Sequence, residues 1–205
     1  MKVFSQANFT EAGKIAVDKA LSKSYLGIGN VITYFDKFHS IGDSITTNKN
    51  KLLFPYKDYV SWGFSNFSTC DLAEKNFVPI FIKYKGKPCV IFCGMVYKKV
   101  LNTRIFENPS DRASNIWAKI GLDAFTRLSK NQGKQKPFYT GVHIVYETSD
   151  FTKEYDFEEA EDVLFIAPTN SIKELGNMNL SESAFYKLVN VFIRPRKTLE
   201  VRLIK

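Results

Sequence analysis

Four groups of residues in this 205-residue chain carry side chains that could do chemistry: a pair of cysteines, two histidines, a run of carboxylates, and lysines interleaved with aromatic rings. Cys89 and Cys93 sit four apart in "KPCVIFCGMVY". On a strand that spacing places both sulfurs on one face but about 13 Å apart, too far for one metal ion. A zinc site would need a second pair, and Cys70, His39 and His143 could supply it only through tertiary accident. Buried free thiols are the expected reading. His143 lies among apolar residues in "GVHIVY" and reads as a sheet histidine with a satisfied hydrogen bond rather than a general base.

The carboxylates crowd into one segment. From Glu147 to Asp162 there are eight acidic residues and one lysine. Clustered carboxylates can hold divalent cations. A solvated loop is the expected reading, and a cover for a basic groove is a third. A metal-dependent nuclease built on a strand carboxylate would need one in "FIKYK", and that stretch has none. No Walker A loop, nucleophile elbow or kinase signature is present. The sequence therefore leans away from an enzyme and calls for no cofactor and no metal.

The basic and aromatic residues say more. Net charge is +8. Outside the acidic segment the chain holds 28 basic and 13 acidic residues, a difference of +15. From Lys75 to Phe106 there are seven Lys/Arg and no Asp/Glu. Such a layout favours a polyanionic partner. Single strands are held by cations that follow the phosphates and by rings that stack on bases. Lys83, Tyr84, Lys85 and Lys87 form one such set; Tyr97, Lys98, Lys99 and Arg104 form another. Lys134, Lys136 and Tyr139 form a third, with Phe138 beside them, and Arg194, Arg196 and Lys197 a basic turn near the end. Arg112, Lys119 and Lys130 fall near one another on a helix face, and Trp62 is a further stacking candidate. The competing reading makes the tyrosines core-edge residues and the lysines guards of strand ends.

These residues need elements to position them. "TEAGKIAVDKALSK" (10–23) has a helical face that Thr10 can cap, and "YLGIGNVITYF" (25–35) reads as a strand. "HSIGDSITTNKNK" (39–51) reads as a loop, and "FPYKDYVSWGFSNFST" (54–69) is an aromatic cap or stacking surface. Residues 77–100 form a hairpin turning at Lys85-Gly86-Lys87, its return strand apolar on both faces and so buried on both. Residues 107–130 are a helix, with Asn108 as cap and Pro109 in the first turn. Strands follow at 138–148 and 161–168, then a helix at 180–192 and a closing hairpin or strand turning at Pro195.

The expected architecture is a single α+β domain over residues 1–205, with a mainly antiparallel central sheet and about three helices packed on it. Three cysteines, no leader pattern and no apolar run near the roughly 20 residues of a membrane helix point to an intracellular compartment and no membrane partner. The expected function is non-enzymatic nucleic-acid binding with a preference for single strands, DNA or RNA. Two other classes stay open. One is a protein–protein module, such as a phage or viral subunit or inhibitor, anchored on 54–67 with the acidic segment as a nucleic-acid mimic. The other is a metal-dependent nuclease using the acidic run.

Overall fold

A computed structural model describes residues 54–67, 73–131, 133–151, 159–195 and 202–205. The expected helix at 10–23, strand at 25–35 and loop at 39–51 lie outside them. A 3₁₀ turn (Phe54–Tyr56) leads into α1 (Lys57–Phe67). β1 (Ala73–Tyr84) and β2 (Lys87–Asn102) form the expected hairpin. α2 (Pro109–Ile116) continues through a π-helical segment (Trp117–Gly121) into α3 (Leu122–Ser129), so the three make one rod. β3 (Tyr139–Ser149) and β4 (Glu159–Pro168) follow. Then come α4 (Thr169–Gly176), α5 (Glu182–Leu188), β5 (Asn190–Pro195) and the two-residue β6 (Arg202–Leu203).

The strands lie in the order β1-β2-β3-β4-β5, with β6 on the edge of β5. The α+β class holds. The sheet, however, is mixed rather than mainly antiparallel, because β2 and β3 run parallel. Parallel neighbours need a crossover, and the α2–π–α3 rod supplies it. With that rod counted as one, the described residues hold four helices rather than three. Two of them were not expected: α1, where the sequence suggests an aromatic cap, and α4, whose Ile172 and Leu175 are buried.

Strand alternation sorts the sheet into two faces. Val90, Phe92, Val142, Ile144, Val163, Phe165, Val191 and Ile193 belong to the main core. The helices contribute Tyr59, Ile116, Trp117, Ile120, Ala124, Phe125, Leu128, Ile172 and Phe185 to it. The π segment keeps the rod's apolar stripe on the sheet, with Trp117 packed against Phe125, Phe165 and Phe185. On the second face Cys89, Ile91, His143, Leu164, Ile166 and Phe192 are buried too. β2 is therefore the doubly covered strand its sequence suggests.

Local signals set most boundaries. Pro109 opens α2 as expected, but Asn108 does not cap it with its side chain; its amide donates to Asp111 Oδ2 at 3.2 Å instead. Ser181 does cap α5, accepting from the Ala184 N–H. The expected helix over 180–192 stops at Leu188, and Phe192 belongs to β5. There β-branched Val189, Val191 and Ile193 alternate into the core, and pairing with β4 outweighs a helical spacing that fits by coincidence.

Two features fix how the pieces meet. Arg112, in the first turn of α2, grips Glu161 of β4 with Nε to Oε2 at 2.8 Å and Nη2 to Oε1 at 2.9 Å. Its Nη1 donates to the Phe106 and Glu107 carbonyls at 2.8 Å, and Tyr146 Oη donates to Glu161 Oε2 at 2.6 Å. At the other end of the sheet, Asn131 Nδ2 donates to the Tyr59 carbonyl at 2.6 Å, and Tyr59 Oη, Thr140 Oγ1 and Thr169 Oγ1 form a buried chain at 2.8 and 2.9 Å. Gly133 lies so close to α1 that a Cβ there would fall 2.7 Å from the Tyr59 backbone.

Stranding one member of a buried ion pair costs about 3–5 kcal/mol. Glu161→Ala should lose about that much stability in urea denaturation. Adding Arg112→Ala should cost much less than its own single change, since the stranded charge goes with it; strictly additive losses would show the two residues to be uncoupled. The hairpin turn generates a second expectation. Lys85 (φ 49°) and Gly86 (φ 72°) both have positive φ, the pattern of a type I′ turn. Asparagine tolerates the first position far better than lysine. Lys85→Asn should therefore add about 0.5–1 kcal/mol of stability, and a lowered melting temperature would contradict this.

Candidate nucleic-acid interface

The parallel pairing of β2 with β3 decides where the basic residues lie. Cys89 is opposite Tyr139, and Tyr139 is opposite Pro168. The start of β2, the start of β3 and the end of β4 therefore share one end of the sheet. The hairpin turn, residues 133–138 and the start of α4 meet there, drawn together from distant parts of the chain.

Lys85 is exposed at the turn, its Nζ 3.4 Å from Asn190 Oδ1 and 5.3 Å from the Tyr84 ring centroid. Lys87 Nζ lies 5.8 Å from the centroid of the Phe138 ring. Phe138 is 53 % exposed and packs edge-on against Tyr139, with centroids 4.9 Å apart. Lys134 and Lys136 are exposed in the same loop. Lys136 Nζ donates to the Asn131 carbonyl at 3.1 Å. Partial burial lowers the Lys136 pKa, and the charge of Lys173 in α4 adds to that effect. Two of the expected sets, 83–87 and 134–139, are thus brought together, and Lys173 joins them.

The third set lies apart. Tyr97, Lys98, Lys99 and Arg104 stand towards the opposite end of β2, about 36 Å from Lys87 at ~3.3 Å per residue. Lys98 and Lys99 are exposed, while Tyr97 is half-buried and packs against the core. Arg104 Nε donates to Asp150 Oδ1 at 2.7 Å. The Lys83 side chain, Arg196 and Lys197 lie outside the described residues.

Several expected binding residues are corrected by burial. Tyr84 is 5 % exposed, held edge-on by Tyr139 at 5.0 Å and Phe192 at 6.2 Å, so it offers no stacking face. Burial pushes its phenol pKa up. Arg112 is turned into the protein on Glu161, which breaks the expected stripe with Lys119; Lys119 stays exposed. Burial works against the Arg112 charge, but Glu161 outweighs it and raises the pKa. Arg194 is 2 % exposed and paired with Asp162, which also meets His143 Nε2 at 3.1 Å. Trp62 is 39 % exposed on α1, whose Tyr59 is in the core.

The acidic segment is corrected at its C-terminal end, while residues 152–158 lie outside the described residues. Glu161 and Asp162 are not part of a solvated loop but successive residues of β4, each in a buried ion pair on its own face of the sheet. Cys89 and Cys93 are buried free thiols whose pKa values burial raises, so neither is poised as a nucleophile. Among the described residues no three His, Cys, Asp or Glu side chains group as a metal site. Among them, too, no helix is long and apolar enough to cross a membrane.

One distinction emerges between the two cations. The arginine side chains described, at 104, 112, 127 and 194, all pair with carboxylates of this chain. Lys85, Lys87, Lys134, Lys136 and Lys173 are exposed residues. Lys173 escaped the sequence reading because 169–176 gave no element there, although Pro168, Ile172, Leu175 and Gly176 carry a helix signature. Phe138 was visible only as the neighbour of a basic turn. No protein-family model, no curated protein and no solved structure matches the chain.

Proposed function

We propose that this protein binds nucleic acid without transforming it, through the lysine-rich end of its sheet. The observation that carries the reading is that Lys85, Lys87, Lys134, Lys136 and Lys173 share the end of the sheet that bears the exposed Phe138, with Lys87 against its ring. Like charges brought together destabilise the folded chain, and a polyanion relieves that repulsion. The stretches that supply the end, 75–106 and 124–146, contain no Asp or Glu. Lysine acts as a point charge on phosphate, whereas arginine forks onto base edges. An interface made of lysines, with the described arginines spent on internal pairs, suits recognition of the backbone with little regard to sequence.

The reading predicts salt-sensitive binding. Removing one phosphate-binding cation should flatten the log–log salt slope on a single strand by about 0.7, and should weaken binding about fivefold near 0.1 M salt. Lys85→Gln, Lys87→Gln and Lys136→Gln should each do this in a fluorescence-anisotropy titration. Lys98→Gln and Lys99→Gln, at the far end, should stay within about twofold of the parent chain. Equal losses at both ends would place the interface elsewhere, and a parent chain that binds no nucleic acid at about 50 mM salt would remove the proposal. Lys85→Asn adds a contrast: it should bind more weakly while melting higher.

A further inference from the structure

The backbone that carries Phe138 is fixed on all sides. Pro137 before it is buried, and its own carbonyl accepts from the Thr169 N–H at 3.0 Å. Tyr139 after it is already paired between Cys89 and Pro168. The ring nevertheless remains 53 % exposed, flanked by the edge-on Tyr139 ring and the Lys87 ammonium. An exposed phenyl ring on a fixed backbone beside an ammonium group is a stacking seat whose main chain needs no rearrangement to be used.

We propose that Phe138 is the seat of one unpaired base, and that Lys85, Lys87, Lys134 and Lys136 hold the phosphates around it. The inference rests on the reading of this end as a nucleic-acid interface. It assigns single strands as the ligand, because a base inside a duplex already has neighbours on both faces and cannot also stack on a protein ring. It also moves the stacking role from the tyrosines to a phenylalanine. Tyr84 is buried and Tyr139 supports the ring from the side, so Phe138 is the member of this aromatic group that presents most of its surface to solvent.

The test uses the full chain with oligothymidylate, an abasic strand of equal length, and a duplex of equal length. Phe138→Ala and Phe138→Leu should weaken oligothymidylate binding by about 5- to 100-fold. Leucine keeps the apolar bulk but lacks the flat π face, so its loss cannot be blamed on a hole at the surface. Phe138→Trp should retain binding. The salt slope should be unchanged in all three variants, because each keeps every phosphate-binding cation. The parent chain should bind the abasic strand as weakly as Phe138→Ala binds oligothymidylate, and duplex affinity should be indifferent to residue 138.

If Phe138→Ala binds oligothymidylate like the parent while Lys87→Gln weakens it, the seat is refuted and the lysine interface stands. If duplex and single strand lose affinity alike on Phe138→Ala, the assignment of an unpaired base is refuted. If the parent chain binds none of the three probes at about 50 mM salt, the nucleic-acid reading falls and this inference with it.

Discussion

Two neighbouring carboxylates on β4 organise much of this structure. A strand sends successive side chains to opposite faces, so Glu161 enters the helix-covered core and Asp162 the second buried face. Neither charge could be buried alone. Each is matched by an arginine brought from another element: Arg112 from the start of the crossover rod, and Arg194 from the adjoining strand β5. The first pair also takes up the loop before α2, since Arg112 holds the Phe106 and Glu107 carbonyls. Such pairs are not strong net stabilisers, because desolvation offsets the attraction. They do penalise any arrangement in which β4 and the rod are out of place, since that would leave a charge unpaired in the core.

The crossover that Arg112 secures has a consequence at the far end of the sheet. Because the rod returns the chain along the full length of β2, β3 starts where β2 starts. A lysine turn at 85–87 and the loop residues 133–138 therefore become neighbours. An antiparallel β2–β3 pair would have set them at opposite ends. The Tyr59–Thr140–Thr169 chain and the Asn131 hydrogen bond to α1 then fix the loop that presents Phe138. Rigidity at the base of that loop lets an aromatic ring stand exposed without collapsing onto the sheet.

The division of labour between the two cations follows from their chemistry. Arginine is more weakly hydrated and forks onto carboxylates, so it tolerates burial beside Glu161 and Asp162. Lysine keeps a compact, strongly hydrated charge and stays at the surface. Net charge counts both alike, and so overstates what is available to a partner at Arg112 and Arg194. It also hides how the remainder is divided, since Lys98 and Lys99 stand a sheet length away from Lys87.

The sequence by itself determined the local pieces. The apolar run from Cys89 to Val96 marks a strand covered on both faces, Lys85-Gly86 marks a turn, and Ile116, Ile120, Ala124 and Leu128 mark a helix with one buried side. These follow from nearest-neighbour geometry and periodicity, which are written into short stretches. Tertiary structure alone decided that Arg112 meets Glu161, 49 residues away, and Arg194 meets Asp162, 32 residues away. It also decided that Tyr84 is buried, and that Lys87, Phe138 and Lys173 share one end. An arginine on a helix face or a tyrosine beside a turn looks the same in sequence whether its partner is water or a carboxylate across the sheet. The direction of one crossover, β2 to β3, settles which.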